Sequence, residues 1–341
     1  MIHVTIPDTK SLVEADGTRK YDAFNIHLNG AFHASIRYSH LRRLHDALKQ
    51  EFNGRLLTPD FPGKKLKKHL DAKALAERRL ALMRYLQAVV QNSFTSRHRI
   101  TEKFFLDAQV ESFRPSSSNI SVDVYMCDGT KQTVRCSVEN PTSVVLELFC
   151  RAVGIAPENI MFFGLFLAKN NAQGKGVLVE RWLKNYESPY ISLQLANLKA
   201  MDGVFHKLIV RKIIWDTKIE DDLLADPGAV NLLFTQAVAD ITNGNFVVPA
   251  DTLQRLRSLQ LAHSWKDYLR LCHLQNSYGY EVLEPCVADY PSPDNRCDLR
   301  VGRRQIVLSY TDPKTGEPVE SAFRATRIRV WKIVNQVRKS F

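Results

Sequence analysis

Long apolar runs are missing from this sequence. No window of about 18 consecutive apolar residues occurs, so no helix long enough to cross a hydrocarbon core is expected. The first residues, MIHVTIPDTK, reach an acid early and hold no apolar core, so no secretory leader is expected either. Cysteine is scarce. The six cysteines are Cys127, Cys136, Cys150, Cys272, Cys286 and Cys297, none forms a C-x-x-C pair, and the first 126 residues have none. That pattern argues against a disulfide framework or a zinc site and for free cytosolic thiols. Catalytic signatures are also absent: there is no G-x-x-x-x-G-K-[ST] loop, no H-E-x-x-H and no G-x-S-x-G. The histidines lack metal-ligand spacing. Glu220, Asp221 and Asp222 stand together beside an expected loop and read as solvated acid or helix N-terminal charge. The expectation is a protein that is not an enzyme and has no catalytic residues, metal or cofactor.

What is present is an uneven positive charge. The chain has 341 residues, enough for two or three domains, and 45% apolar content, enough for a sizeable core. Its net charge is +11. Residues 37–103 carry 16 Lys/Arg against 6 Asp/Glu, a net of +10, whereas residues 115–341 carry 27 against 24, a net of +3. A field concentrated in one segment attracts an anionic surface: lipid headgroups, nucleic acid or acidic protein.

Hydrophobic periodicity supplies the elements. Phe24, Ile26 and Leu28 alternate, Asn29-Gly30 marks a turn, and Phe32, Ala34 and Ile36 alternate again, predicting a hairpin over 22–37. Directly paired residues share a face, so a three-residue loop with Leu28 opposite Phe32 is expected, and Arg37 then ends the second strand on its polar face. Ser39 reads as a helix N-cap, followed by Leu41, Leu44, Leu48 and Phe52 at helical spacing. The stretch LLTPDFPGKKLKK is a loop, because Pro59, Pro62 and Gly63 interrupt any helix. A second helix is expected over 72–92, with Leu75, Leu82, Leu86 and Val89 inward and Arg78 and Arg84 off that stripe. A third is expected near 100–111, before a linker, SFRPSSSN. Beyond it come a hairpin at 120–137 around Asp128-Gly129, a helix at 143–153 and strands at 159–168 and 190–196. That order suggests a ubiquitin-like roll. Residues 229–276 read as helices, and strands return in QIVLSY and RIRVWKIV. No heptads appear, so a monomer is expected.

Arg37, Tyr38, Ser39, Lys64 and Arg78 are the residue types that a phosphorylated inositol needs. Guanidinium forks grip phosphate and vicinal hydroxyls, an aromatic ring stacks under the sugar-like ring, and a helix N-terminus favours an anion. The segments YDAFNIHLNG, IRYSHLRRLH, FPGKKL, ERRLALMRYLQAV, VNLLFTQAVADI, YGYEVLEPCVADYP and FRATRIRVWKI, in that order, make the chain resemble the PX–FERM sorting nexins along essentially its whole length.

The resemblance implies an α+β multidomain chain: a PX domain over 1–112, then a FERM-like module. The module would have a ubiquitin-like lobe (118–212), a helical lobe (213–288) and an incomplete PTB/PH-like lobe (289–341), because the family's third lobe continues past Phe341. It further implies a phosphatidylinositol 3-phosphate ligand. Arg37 would meet the 3-phosphate, Tyr38 would lie under the inositol ring, Ser39 would help at the helix start, Lys64 would meet the 1-phosphate and Arg78 would meet the 4- and 5-hydroxyls. Gly63 departs from the family's P-P-K loop, which predicts a more flexible loop and weaker binding. Leu56, Leu57, Phe61 and Leu66 are candidate bilayer contacts. Cargo tails of N-P-x-Y or N-P-x-F type would add to the third lobe, with Trp331 and Arg329 as contacts. The implied role is an adaptor on the cytosolic face of early endosomes that recruits transmembrane cargo for recycling to the plasma membrane. Nucleic-acid binding would need an aromatic-lined groove or a reading helix, which the basic segment lacks. A scaffold that binds a small GTPase or acidic protein is the remaining alternative.

Overall fold

The computed structural model describes residues 2–13, 17, 19–55, 58–64, 71–170, 177–283 and 285–330. The chain divides into two compact units, one made of residues 1–122, 133–145 and 181–206, the other of 123–132, 146–180 and 207–341.

The first unit opens with four antiparallel strands: β1 (Val4–Thr5), β2 (Thr9–Val13), β3 (Lys20–Leu28) and β4 (Ala31–Arg37), with β3 pairing to all the others. The expected three-residue loop is replaced by two residues, Asn29-Gly30, both at positive φ (50° and 83°). Leu28 pairs with Ala31 and His27 with Phe32; the register then slips, so Ile26 faces Ala34 and Phe24 faces Ile36. One extra residue, His33, is absorbed in the bulge, which returns both apolar sets to one face. His33 is turned inward, edge-on to Phe105 and Tyr186, with Nε2 2.9 Å from the Phe105 carbonyl. Burial pushes its pKa down to about 4, so the ring is neutral at pH 7 and this nitrogen carries the donated hydrogen.

Strand β4 runs straight into α1 (Tyr38–Glu51), which places Arg37, not Ser39, in the N-cap position. Ser39 sits exposed in the first turn. Helix α2 (Ala72–Gln91) is capped by Asp71, whose carboxylate accepts from the Ala74 amide at 2.7 Å, and α3 (Arg99–Phe113) completes the set. Leu41, Leu44 and Leu48 of α1 and Leu82, Leu86 and Val89 of α2 bury together with Phe24, Ile26, Ile36 and Phe105. Each such side chain contributes about 1.5–3 kcal/mol on burial.

A five-stranded sheet follows. Its elements are β5 (Asn119–Tyr125), β6 (Lys131–Ser137), α4 (Thr142–Ala152), β7 (Phe163–Asn170), β8 (Val177–Trp182), α5 (Pro189–Leu198) and β9 (His206–Lys212), with strand order β6-β5-β9-β7-β8 and β5 parallel to β9. One expected strand starts later than predicted, and another is not a strand. Residues 157–162 form a 3-10 turn, so β7 starts at Phe163. Residues 190–196 are helix, because Ser188 accepts from the Ile191 amide and Pro189 occupies the first helical position. Within the first unit, Gln109 of α3 accepts from the Ser188 amide (2.7 Å) and donates to Ser192 (3.1 Å), and Tyr186 joins the apolar core of the N-terminal segment.

In the second unit, α6 (Thr217–Leu223), α7 (Pro227–Thr242), α8 (Ala250–Leu261) and α9 (Trp265–His273) make a helical lobe. The stripe of Val230, Leu233, Phe234 and Ala237 is buried as its spacing predicts. Of the acidic run, Asp221 and Asp222 are exposed as the solvated reading expects, whereas Glu220 is helix N-terminal charge in the first turn of α6 and has no exposed surface. Lys212 reaches it at 2.6 Å, the Tyr278 hydroxyl donates to it at 2.5 Å and His273 Nε2 lies 3.3 Å away. Beside it on β9, Arg211 bridges Asp240 of α7 (3.4 Å) and Glu281 (2.8 Å). Asp226 caps α7 through the amides of Gly228 and Ala229, while its other oxygen accepts from Ala156 (2.9 Å) and Asn159 (2.8 Å).

That cap draws α7 against the backbone near Gly154. A Cβ on Gly228 would lie 2.6 Å from the carbonyl carbon and oxygen of Gly154. Backbone cannot swing aside as a side chain does, so Gly228→Ala should destabilise the helical lobe by about 1–3 kcal/mol, the usual range for overpacking. Thermal unfolding followed by circular dichroism checks this.

The second unit ends in β10 (Tyr280–Val282), β11 (Cys286–Ala288), β12 (Asn295–Gly302), β13 (Gln305–Thr311) and β14 (Pro318–Arg324), ordered β10-β12-β13-β14 with β11 also on β12. QIVLSY is β13, as expected. RIRVWKIV is not a strand over its described part: residues 325–327 form a 3-10 turn and Ile328–Val330 have no regular structure. Its remainder lies outside the described residues. No helix among the described residues is long and apolar enough to cross a membrane.

Candidate functional site

The site is built where a strand end, a Pro-interrupted loop and a helix meet. The direct passage from β4 into α1 sets Arg37 and Tyr38 at the helix N-terminus. No side chain caps that terminus, and its first turn holds no acid. Unsatisfied amides and the positive end of the helix dipole therefore remain there, an arrangement that favours an anion.

Arg78, one face of α2 further on, brings its guanidinium to 4.4 Å from the Tyr38 ring centroid. A cation over a ring face contributes about 0.5–1 kcal/mol at exposed sites. Arg78 also donates Nη2–H to the Gly63 carbonyl at 3.2 Å. The Tyr38 hydroxyl donates to the neighbouring Pro62 carbonyl at 2.7 Å. Two consecutive loop carbonyls are thus held by two of the candidate side chains, which fixes the loop against strand and helix. Lys64 follows directly and is exposed. Arg37 is half-buried, its guanidinium 5.6 Å from the Tyr21 ring. The Nε–H of Arg78 is buried and meets no acceptor among the described residues.

Below this lies an aromatic floor missing from the sequence reading. Phe61 stacks on His45 (4.9 Å between centroids) and stands edge-on to Tyr85 (5.0 Å), while Tyr38 tilts against Phe61 at 5.6 Å. Phe61 therefore packs on the core and is not an exposed bilayer contact. Burial keeps the Tyr85 phenol protonated, and burial with the Arg42 and Lys49 charges pushes the His45 pKa down. The Tyr85 hydroxyl and His45 Nδ1 lie within hydrogen-bond distance, 3.1 Å apart. Arg42 lies 5.7 Å from the Phe61 ring centroid and grips Asp46 at 3.0 Å. Its signal was available: Tyr38, Arg42 and His45 recur at i, i+4 and i+7.

Tyr38, Arg78 and the loop leading into Lys64 are brought together; Arg37 adjoins Tyr38 in the chain with its guanidinium near Tyr21, and Ser39 is exposed. Arg84 is exposed on α2 and joins none of these contacts. Leu56, Leu57 and Leu66 lie outside the described residues, as does Trp331. Arg329 is exposed in a stretch without regular structure. No cluster of metal-ligating side chains occurs among the described residues.

Comparison with known proteins gives four matches in chain order. The PX domain model matches residues 24–108. The sorting nexin 17/27/31 FERM F1 lobe matches 120–215 and the sorting nexin 17/31 FERM F2 lobe matches 216–274. The sorting nexin 17 FERM C-terminal domain matches 279–340. Sorting nexin-17 of Rattus norvegicus is 33% identical over 337 residues, covering 98% of this chain and 70% of that protein. Sorting nexin-31 of Mus musculus is 29% identical over 332 residues, covering 97% and 73%. Among solved structures, a designed CISK-PX domain is 29% identical over 28% of this chain and 92% of its own, with a TM-score of 0.25.

Proposed function

Because this chain belongs to the sorting nexin-17 family of PX and FERM proteins, we propose that it is a phosphoinositide-binding endosomal adaptor whose lipid ligand is phosphatidylinositol 3-phosphate. The observation that carries the reading is the convergence of Arg78, Tyr38 and the Pro62-Gly63-Lys64 loop on the uncapped start of α1, with Arg37 at the strand end. Arg37 and the first-turn amides receive the 3-phosphate. The inositol ring lies against Tyr38, Arg78 reaches its hydroxyls and Lys64 meets the phosphate that joins ring to lipid. Ser39 adds a hydroxyl at the helix start. Charged donors meet anionic and hydroxyl oxygens while Tyr38 meets the ring face, so geometry as well as charge selects the ligand.

Membrane attachment to the cytosolic face of early endosomes leaves the FERM lobes to hold protein partners. The third lobe would take N-P-x-Y or N-P-x-F cargo tails by strand addition, with Arg329 and Trp331 in contact, and so recruit cargo for recycling. Co-sedimentation with vesicles tests the lipid half. Vesicles with phosphatidylinositol 3-phosphate should pellet the chain, and vesicles lacking it at matched charge should not. Equal pelleting would remove the pocket from the account.

Gly63 gives a graded check. Its φ is not in the left-handed region and a Cβ there would meet nothing within 4 Å. If the backbone at Gly63 accepts the φ that proline fixes, Gly63→Pro should narrow the free loop's conformations and tighten lipid binding about two- to fivefold, the equivalent of about 0.4–1 kcal/mol. Vesicle titration of the two proteins measures it.

A further inference from the structure

The third sheet holds a pair of thiols for which neither the lipid pocket nor the lobes' packing has a use. Cys286 of β11 and Cys297 of β12 are direct cross-strand partners, and their sulfurs stand 3.6 Å apart. Both are free. Directly facing residues of an antiparallel pair have Cα atoms about 4.5–5.5 Å apart, inside the range that a disulfide spans, so side-chain rotation alone can join them. Cys286 is half-buried and open to a small reagent, while Cys297 is buried behind it. The intervening residues 289–294 are mostly exposed and include Pro291 and Pro293.

We infer that Cys286 and Cys297 form a dithiol modification site that a peroxide converts reversibly to an intrachain disulfide, stapling β11 to β12. The Cys286 thiol gives up its proton, its sulfur attacks one peroxide oxygen, the O–O bond breaks, and the leaving hydroxide takes up that proton, so a sulfenic acid and water result. The Cys297 sulfur then attacks the sulfenic sulfur, the S–S bond forms, and the hydroxyl leaves as a second water. Two thiols lose two protons and two electrons; the peroxide takes them up and becomes two waters. Desolvation pushes the Cys127, Cys150 and Cys272 thiols up to about 12, which keeps them protonated and slow toward the same reagent. The inference stands independently of the lipid reading, because all its residues belong to the third sheet.

Treatment of the full chain with hydrogen peroxide, alkylation and tryptic mass spectrometry tests it. Cleavage between Arg296 and Cys297 puts the two cysteines on separate peptides. The expected result is a linked pair of these peptides, two hydrogens lighter, on a chain that stays monomeric without reductant and loses two of its six alkylatable thiols together. Dithiothreitol should restore both. Cys286→Ser and Cys297→Ala should each abolish the linked pair while leaving vesicle binding unchanged. Oxidation of Cys286 alone to sulfinic acid with Cys297 still alkylatable, or cross-links between chains, would overturn the assignment.

Discussion

Arg37→Ala is expected to weaken binding to phosphatidylinositol 3-phosphate vesicles by about ten- to a hundredfold while leaving the fold intact. Hydrogen bonds to charged groups contribute about 1.5–3 kcal/mol each, and 1.4 kcal/mol is a factor of ten. Arg37 ends β4 with its side chain half-buried on the rim, so its truncation opens no core cavity. Arg37→Lys should recover only part of the loss, because an ammonium keeps the charge without the planar fork. Lys103→Ala is the control. It removes the same charge from the same basic segment, but from an exposed pair with Asp107 on α3. An equal loss from Lys103→Ala would mean that the whole basic field, not a pocket, attracts the membrane; raised salt would then abolish binding by both proteins alike.

Glu220→Ala should cost the second unit about 3–5 kcal/mol, because it leaves the buried Lys212 ammonium without its counter-charge. Replacing both partners, with Lys212→Met and Glu220→Leu, should recover most of that loss, since the desolvation cost of two charges disappears with them. Burial by itself would raise the Glu220 pKa. The Lys212 ammonium, hydrogen bonds from Lys212 and Tyr278 and the nearby His273 ring outweigh it and hold the carboxylate below its usual value of 4.5. A carboxylate depressed in the folded state contributes stability that is complete above the unfolded pKa and is lost as pH falls through the folded one. The contribution is therefore whole at pH 7 and decays below about pH 4.5, and Glu220→Gln should flatten that acid limb. Urea unfolding followed by tryptophan fluorescence, at several pH values, measures both effects.

The helices were legible because their signals are local: Leu41, Leu44 and Leu48, or Val230, Leu233 and Ala237, recur at helical spacing and are buried accordingly. The hairpin face was legible too, but not the device that secures it. Parity allows either a longer loop or a bulge, and nothing in residues 22–37 states that His33 will be the extra residue. Residues 190–196 misled because Ile191, Leu193 and Leu195 alternate like a strand; the Ser188-Pro189 start signal decides for helix. Glu220 misled for a different reason. Three acids in a row look solvated, and the partners that bury one of them, Lys212 and Tyr278, sit on β9 and after α9, where no local pattern points.

At the site, residue types and order indicated which side chains matter, and the family resemblance supplied their roles. The stacking of Arg78 on Tyr38 and the grip on consecutive loop carbonyls are three-dimensional facts that no spacing rule contains. They bear on the central claim because they place a cation, a ring and a loop within one ligand's reach.

That claim is selectivity for one headgroup. Isothermal titration of the full chain with short-chain, water-soluble phosphatidylinositol 3-phosphate, beside the 4,5-bisphosphate, removes the bilayer and its charge density from the comparison. Saturable one-to-one heat for the monophosphate and none for the more highly charged bisphosphate is the predicted result. Equal binding of the two, or binding that simply follows their charge, would contradict it.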